Sequence, residues 1–241
     1  QVARFISGRC RKSRSPNRCQ CLSNRYLHPH VSSHHEPVIP EFESVEEVEF
    51  VNRIFMRDEI QLGIEFERAV RFIAERMLVS DEHARKPVLF HNIRVGTYLY
   101  ENGYSHDIVI AGILHDAIEF AGVLKEELAK EFGEEITRLV RASTKDDTIE
   151  DKNEKTRELI QRCVQNGEDA LIVKTADILD SFKWYSRLGN RDQLDYCKRN
   201  ADAIFEYKPE EFSDDIFAEL KIWRERYGEV HSEMGEIGKV A

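Results

Sequence analysis

From residue 42 onward, apolar positions recur at helical spacing almost to the end of the chain. "FESVEEVEFVNRIFM" puts Val45, Val48, Val51, Ile54 and Phe55 on one stripe, and "IEFERAVRFIAERML" repeats the pattern with Phe66, Val70, Ile73 and Met77. A polar break at "SDEHARKP" precedes "HNIRVGTYLYENG", which stops at Gly103. "SHDIVIAGILHDAIEF" follows, with Ser105 as the expected N-cap and Gly122 as the stop. Next come "KEELAKEFGEEITRLVRAS", "KNEKTRELIQRCVQ", "DALIVKTADILDSFKWY", "RDQLDYCKRNADAIFEY" and "SDDIFAELKIWRERYG". No stretch alternates as a strand would, and no internal repeat is evident. The pattern predicts an all-α bundle of about eight or nine helices over residues 41–230 with 231–241 as a tail, the terminal stretch "KIWRERYGEVHSEMGEIGKVA" capping the bundle.

Residues 1–40 break this pattern. They are rich in Arg, Ser, Pro and His, and their few apolar residues have no period, so the segment reads as a disordered basic leader. Two functional alternatives stand beside that reading. "CQC" with His28, His30, His34 and His35 would be a zinc knuckle, though the spacing fits no common zinc pattern. An Arg- and Ser-rich stretch without acids also suits an organelle transit peptide over residues 1–35. The sequence begins without Met, and a gene-model artefact is a further reading of the segment.

Charge divides the chain in the same place. The formal net charge is −10, yet no acid precedes Glu36 and seven basic residues do; without those seven, residues 36–241 carry −17. A body this acidic argues against duplex nucleic acid as a partner, because phosphate binding needs a basic surface. No apolar run approaches the roughly 20 residues that cross a bilayer, so no membrane partner is expected. Three of the five cysteines (Cys10, Cys19, Cys21) lie in the leader and leave only Cys163 and Cys197 in the body. That is no disulfide framework, and a reducing cytoplasm is the expected setting.

The unusual chemistry sits in "GILHDAIEF". His115 and Asp116 interrupt an apolar helix (Ile108, Val109, Ile110, Ile113, Leu114, Ile118), and Glu119 lies three to four residues on, where it shares their broad face. Burying a carboxylate beside an imidazole is costly unless the groups are paired or bind a metal. An isolated pair would more often be a salt-bridged Asp beside a hydrogen-bonded core His. Two further segments repeat the oddity: His91 follows the apolar "VLF", and Asp177 interrupts "ALIVKTADIL". Two His and two Asp, each intruding on a hydrophobic face, form a consistent set for Mn, Fe, Zn or a similar divalent ion.

These residues resemble the HD-domain metal-dependent phosphohydrolases, nearest to the hydrolase domain of RelA/SpoT-type alarmone enzymes and their small stand-alone relatives. The family order of His, then His-Asp, then a distant Asp is matched by His91, His115, Asp116 and Asp177. "HNIRVGTYLYENGYSHDIVIAGILHDAIE", "EELAKEFGEEITRLVRASTKDD" and "LIVKTADILDSFK" match successive blocks over roughly residues 60–190. The resemblance implies a divalent metal, Mn²⁺ first with Fe, Zn or Mg as alternatives, held by those four residues. The ion would act as a Lewis acid on a phosphoryl oxygen and lower the pKa of its water. Glu119 falls on the first acid of the family's Glu-Asp pair, which orients or deprotonates that water. Arg85 and Lys86 resemble the Arg-Lys pair that contacts the nucleotide, with a solvated basic turn as the plainer reading.

Three positions depart from the alarmone pattern. Phe120 replaces the second acid, Ser181 replaces the nucleotide-contacting Asn four residues after the last ligand, and Lys183 replaces an Arg, keeping charge but not the bidentate fork. The expected activity is hydrolysis of a phosphate or pyrophosphate ester of a small nucleotide, such as a guanosine tetraphosphate-like alarmone. A catalytically weakened nucleotide- or metal-binding sensor is the alternative. Lys145 in "TKDD" reads as part of a solvated loop rather than as a lysine placed near phosphates, and Trp184 and Tyr185 read as core packing rather than a base platform. The chain has no P-loop, GxGxxG or GxSxG, which removes ATPase, Rossmann and serine-hydrolase readings. Oligomeric state leaves no mark on the sequence.

Overall fold

A computed structural model describes residues 45–237, with side chains over 56–227. The leader, both of its functional alternatives and the last four residues lie outside the described residues, as do the side chains of the first predicted stripe. Among the described residues every regular element is a helix: α1 (Val45–Ala74), α2 (Val88–Glu101), α3 (His106–Leu114), α4 (Ala117–Ala121), α5 (Lys125–Phe132), α6 (Glu134–Ser143), α7 (Lys152–Gln165), α8 (Glu168–Leu188), α9 (Arg191–Tyr207) and α10 (Asp215–Ile237). None of them is long and apolar enough to cross a membrane.

Two helices form the hub. α3 packs against α1, α2, α6 and α8, while α8 also meets α7, α9 and α10. Ile108 through Leu114 are all buried on α3. Its five large aliphatic side chains contribute roughly 1.5–3 kcal/mol each. That sum offsets the several kcal/mol that ionisable groups at the helix end cost when withdrawn from water. The ends follow local chemistry. The Asp151 side chain accepts from the backbone N–H groups of Asn153 and Glu154 at the start of α7, and Asn190 does the same for Gln193 on α9. Ser105 stands at the α3 N-cap with an extended backbone but makes no side-chain capping bond.

The all-α expectation holds, with boundaries that differ in four places, one being α10, which runs to Ile237 where a tail from residue 231 is expected. The first two predicted helices form one, α1, because "RDEIQLG" contains good helix formers and Gly63 weakens a helix without breaking it. Gly133, at φ 87°, divides "KEELAKEFGEEITRLVRAS" into α5 and α6. The "HD" helix also divides, stopping at Leu114 and resuming at Ala117.

The α2–α3 crossing brings the first two ligand positions together, and two glycines make it possible. A Cβ on Gly96 would collide with Cγ1 of Ile113, and one on Gly112 with Cδ1 of Leu99. Both are ordinary helical glycines whose lack of a side chain permits close backbone approach.

Candidate metal centre

His91 on α2, His115 and Asp116 between α3 and α4, and Asp177 on α8 converge where α2, α3 and α8 pack against one another. On a continuous helix adjacent residues diverge by about 100°. Asp116 leaves the helical conformation (φ −95°, ψ 1°), and the resulting turn lets both neighbours face one point. His91 Nε2 lies 3.1 Å from Asp177 Oδ1 and 4.0 Å from Asp116 Oδ2. His115 Nε2 lies 3.4 Å from Asp116 Oδ2 and 3.9 Å from Asp177 Oδ1. The imidazoles meet edge to face with centroids 5.1 Å apart.

Each imidazole is oriented from behind. His115 Nδ1 donates to the Gly112 carbonyl at 2.7 Å, which leaves a lone pair on Nε2. That nitrogen is buried and has no hydrogen-bond partner. Burial pushes the His115 pKa down, so the ring is neutral and its lone pair points toward carboxylate oxygens. His91 Nδ1 donates to Asp180 Oδ2 at 2.6 Å, and Arg94 grips the same carboxylate with a fork at 2.7 and 2.8 Å. Burial works to raise the Asp180 pKa, but the His91 and Arg94 hydrogen bonds overcome it and hold the group at about 2.

Asp177 is the most heavily contacted of the four. Lys174 Nζ lies 2.8 Å from its Oδ2, and Lys86 Nζ lies 3.6 Å from Oδ1. Burial opposes its ionisation, yet Lys174 and then Lys86 outweigh this and keep its pKa well below the carboxylate range. Ligand atoms of His91, His115 and Asp177 all lie within 4.8 Å of one another. Adjacent ligands at bond lengths of about 2.0–2.2 Å stand roughly 3.0–3.5 Å apart, the same scale as the distances above. The lone pair of His115 Nε2 faces carboxylate oxygens with no proton between them, a repulsion that a cation would relieve. The donor set therefore fits one divalent ion of the kind that takes mixed nitrogen and oxygen ligands.

Asp116 and Asp177 of the cluster form the floor of a cavity of about 1000 Å³. Glu119, Phe120, Lys145, Tyr185 and Tyr196 contribute to its walls. Glu119 accepts a hydrogen bond from Lys145 at 2.7 Å. This corrects the solvated-loop reading of "TKDD": Lys145 turns inward onto the acid, and burial, which opposes its charge, is outweighed by Tyr196, Glu119 and Asp116, so its pKa is raised. Arg85 lies exposed at the rim, while Lys86 donates to the buried Ser181 hydroxyl at 2.9 Å. Lys183 is not brought into this group. It pairs with Glu219 at 2.8 Å and lies over the Tyr98 ring, away from the cavity. Trp184 donates to the Arg85 carbonyl at 3.4 Å and stacks with Arg94, whereas Tyr185 is a buried wall residue.

Sequence reasoning missed Asp180, Arg94, Lys174 and the inward turn of Lys145. Lys174 carried a signal, since a lysine within "ALIVKTADIL" is as anomalous as the Asp three residues later. Asp180 carried a weaker one, standing one turn beyond Asp177 on the same face.

Residues 69–206 match the HD domain family. The guanosine-3′,5′-bis(diphosphate) 3′-pyrophosphohydrolase of Aquifex aeolicus is 30% identical over 134 residues, covering 54% of this chain and 19% of that protein. The corresponding enzyme of Drosophila melanogaster, MESH1, is 32% identical over 99 residues, covering 40% of this chain and 55% of that protein. The chain thus spans about a fifth of the first relative's length and about half of the second's. A solved structure described as a metazoan ortholog of SpoT that hydrolyzes ppGpp superposes with a TM-score of 0.56 at 22% identity, over 68% of this chain and 96% of that one. That likeness concerns the fold.

Proposed function

This chain belongs to the HD domain family, and on that premise we propose that it hydrolyses a phosphate or pyrophosphate ester of a nucleotide, using a divalent cation held by His91, His115, Asp116 and Asp177. The observation that carries this reading is the buried, partnerless Nε2 of His115, aimed with His91 Nε2 at two carboxylates on the floor of an open cavity. The family resemblance puts Mn²⁺ first, and Fe, Zn and Mg are alternatives for a mixed nitrogen and oxygen donor set. When bound, the ion supplies Lewis acidity toward a phosphoryl oxygen and lowers the pKa of water at the site.

The chain's own groups divide the remaining work. Glu119 is the carboxylate positioned on the cavity wall to take a proton from the attacking water, and Lys145 fixes its orientation through Oε1. Lys86 at the floor and Arg85 at the rim offer positive charge to phosphate oxygens. Tyr185 and Tyr196 give the wall aromatic surface on which a base can lie. The names of the relatives make a guanosine tetraphosphate-like alarmone the first substrate to test.

Purified full-length protein, loaded with Mn²⁺ and offered a nucleotide panel, releases phosphate or pyrophosphate on this reading. Release no greater than that of an Asp116→Ala control overturns it. The second reading, a sensor with weakened catalysis, is favoured by Phe120, which is 47% exposed on the cavity wall where alarmone hydrolases carry a second acid. It expects nucleotide binding by calorimetry without turnover. A brisk rate left unchanged by Phe120→Asp would count against it.

A further inference from the structure

Lys174 is fully buried, at 1% exposure, and among the described residues its hydrogen bond goes to Asp177 Oδ2 at 2.8 Å. The two residues lie three apart on α8, so the pair is set once that helix forms. Neither Glu119 chemistry nor nucleotide contact calls for this lysine, since it does not line the cavity. Its position has two consequences for whatever cation the floor receives. Lys174 takes one of the carboxylate's two oxygens, leaving Oδ1, which faces the imidazoles with the Ser181 hydroxyl at 3.4 Å and Lys86 Nζ at 3.6 Å beside it. A fixed positive charge also stands beside a ligand, where it repels an arriving cation.

We propose that Lys174 is a built-in counter-ion of the metal centre, restricting Asp177 to ligation through Oδ1 and lowering the site's affinity for its divalent ion. The inference rests on the metal reading above and concerns how that site is tuned. Without Lys174 the metal-free protein would hold a buried carboxylate with much of its compensation removed, a strongly destabilising state. The cation itself would then supply the missing charge and could use both oxygens. Stability and metal affinity should therefore move in opposite directions, which a lysine serving only as packing would not produce.

The test compares wild type, Lys174→Met and Lys174→Arg as full chains, titrated with MnCl₂ by calorimetry and melted in EDTA and in saturating Mn²⁺. Lys174→Met is expected to melt lower in EDTA, to bind Mn²⁺ about tenfold tighter or more, and to regain most of the lost Tm with the ion. Lys174→Arg, which keeps the charge, should stay within about threefold of wild-type affinity. If Lys174→Met folds only with Mn²⁺ present, chelator competition reads its affinity, and tighter retention than wild type supports the role. Equal or weaker Mn²⁺ binding by Lys174→Met, with wild type binding normally, overturns the role of Lys174 alone. Absence of Mn²⁺ binding by wild type overturns the metal reading and this inference with it.

Discussion

Asp180→Asn tests how far the fold invests in the metal-free site. The native carboxyl sits at about 2 against an ordinary 3.8, because His91 and Arg94 bind its ionised form more strongly than burial disfavours it. The difference corresponds to about 2 kcal/mol of stability at neutral pH. Since the folded pKa is the lower one, the contribution is complete above 3.8 and fades as pH falls toward 2, with about half of it gone by pH 3. The amide can still accept from His91 Nδ1, but it offers Arg94 an N–H where the guanidinium needs an oxygen. Urea unfolding in EDTA should therefore show the variant about 2 kcal/mol less stable at pH 7, with the gap narrowing steadily below pH 4. Calorimetry at pH 7 should show Mn²⁺ affinity reduced about 10- to 100-fold, the usual cost of loosening an outer partner of a ligating imidazole. A loss below about 0.5 kcal/mol that does not change with pH, or unchanged Mn²⁺ affinity, would refute the argument.

Three further outcomes are expected. Replacing His115 or Asp177 by Ala should remove bound metal, as read by elemental analysis after dialysis, and abolish hydrolysis with it. Glu119→Gln should lower kcat by about 10²- to 10⁴-fold while leaving Mn²⁺ affinity within about twofold, because the residue serves the proton and not the ion. Gly112→Ala drives a methyl into Leu99 and should cost about 1–3 kcal/mol in thermal melts, with weaker Mn²⁺ binding as α2 and α3 are pushed apart.

Much of this molecule was legible from pattern. Apolar spacing marked the helices, and four ionisable residues placed on apolar faces marked the cluster, because burial makes such residues conspicuous. What remained hidden were features decided by tertiary contact. The division at His115–Asp116 has no Gly or Pro to announce it; Asp116 leaves the helical conformation, and the two side chains meet groups on α2 and α8. Lys145 reads as a loop lysine until α6 carries it to Glu119. The drift of Lys183 toward Glu219 depends on where α10 packs, which no local motif specifies.

The two imidazoles are held by different kinds of chemistry, one by a main-chain carbonyl and the other by a side-chain carboxylate. A carbonyl is present whatever residue occupies its position, so no point substitution can delete the anchor of His115. The anchor of His91 is a single codon. Natural variation and protein engineering therefore have unequal access to this centre: residue 180 is the adjustable side, where ligand strength can be graded without rebuilding the fold, while the α3 side can change only by moving a helix.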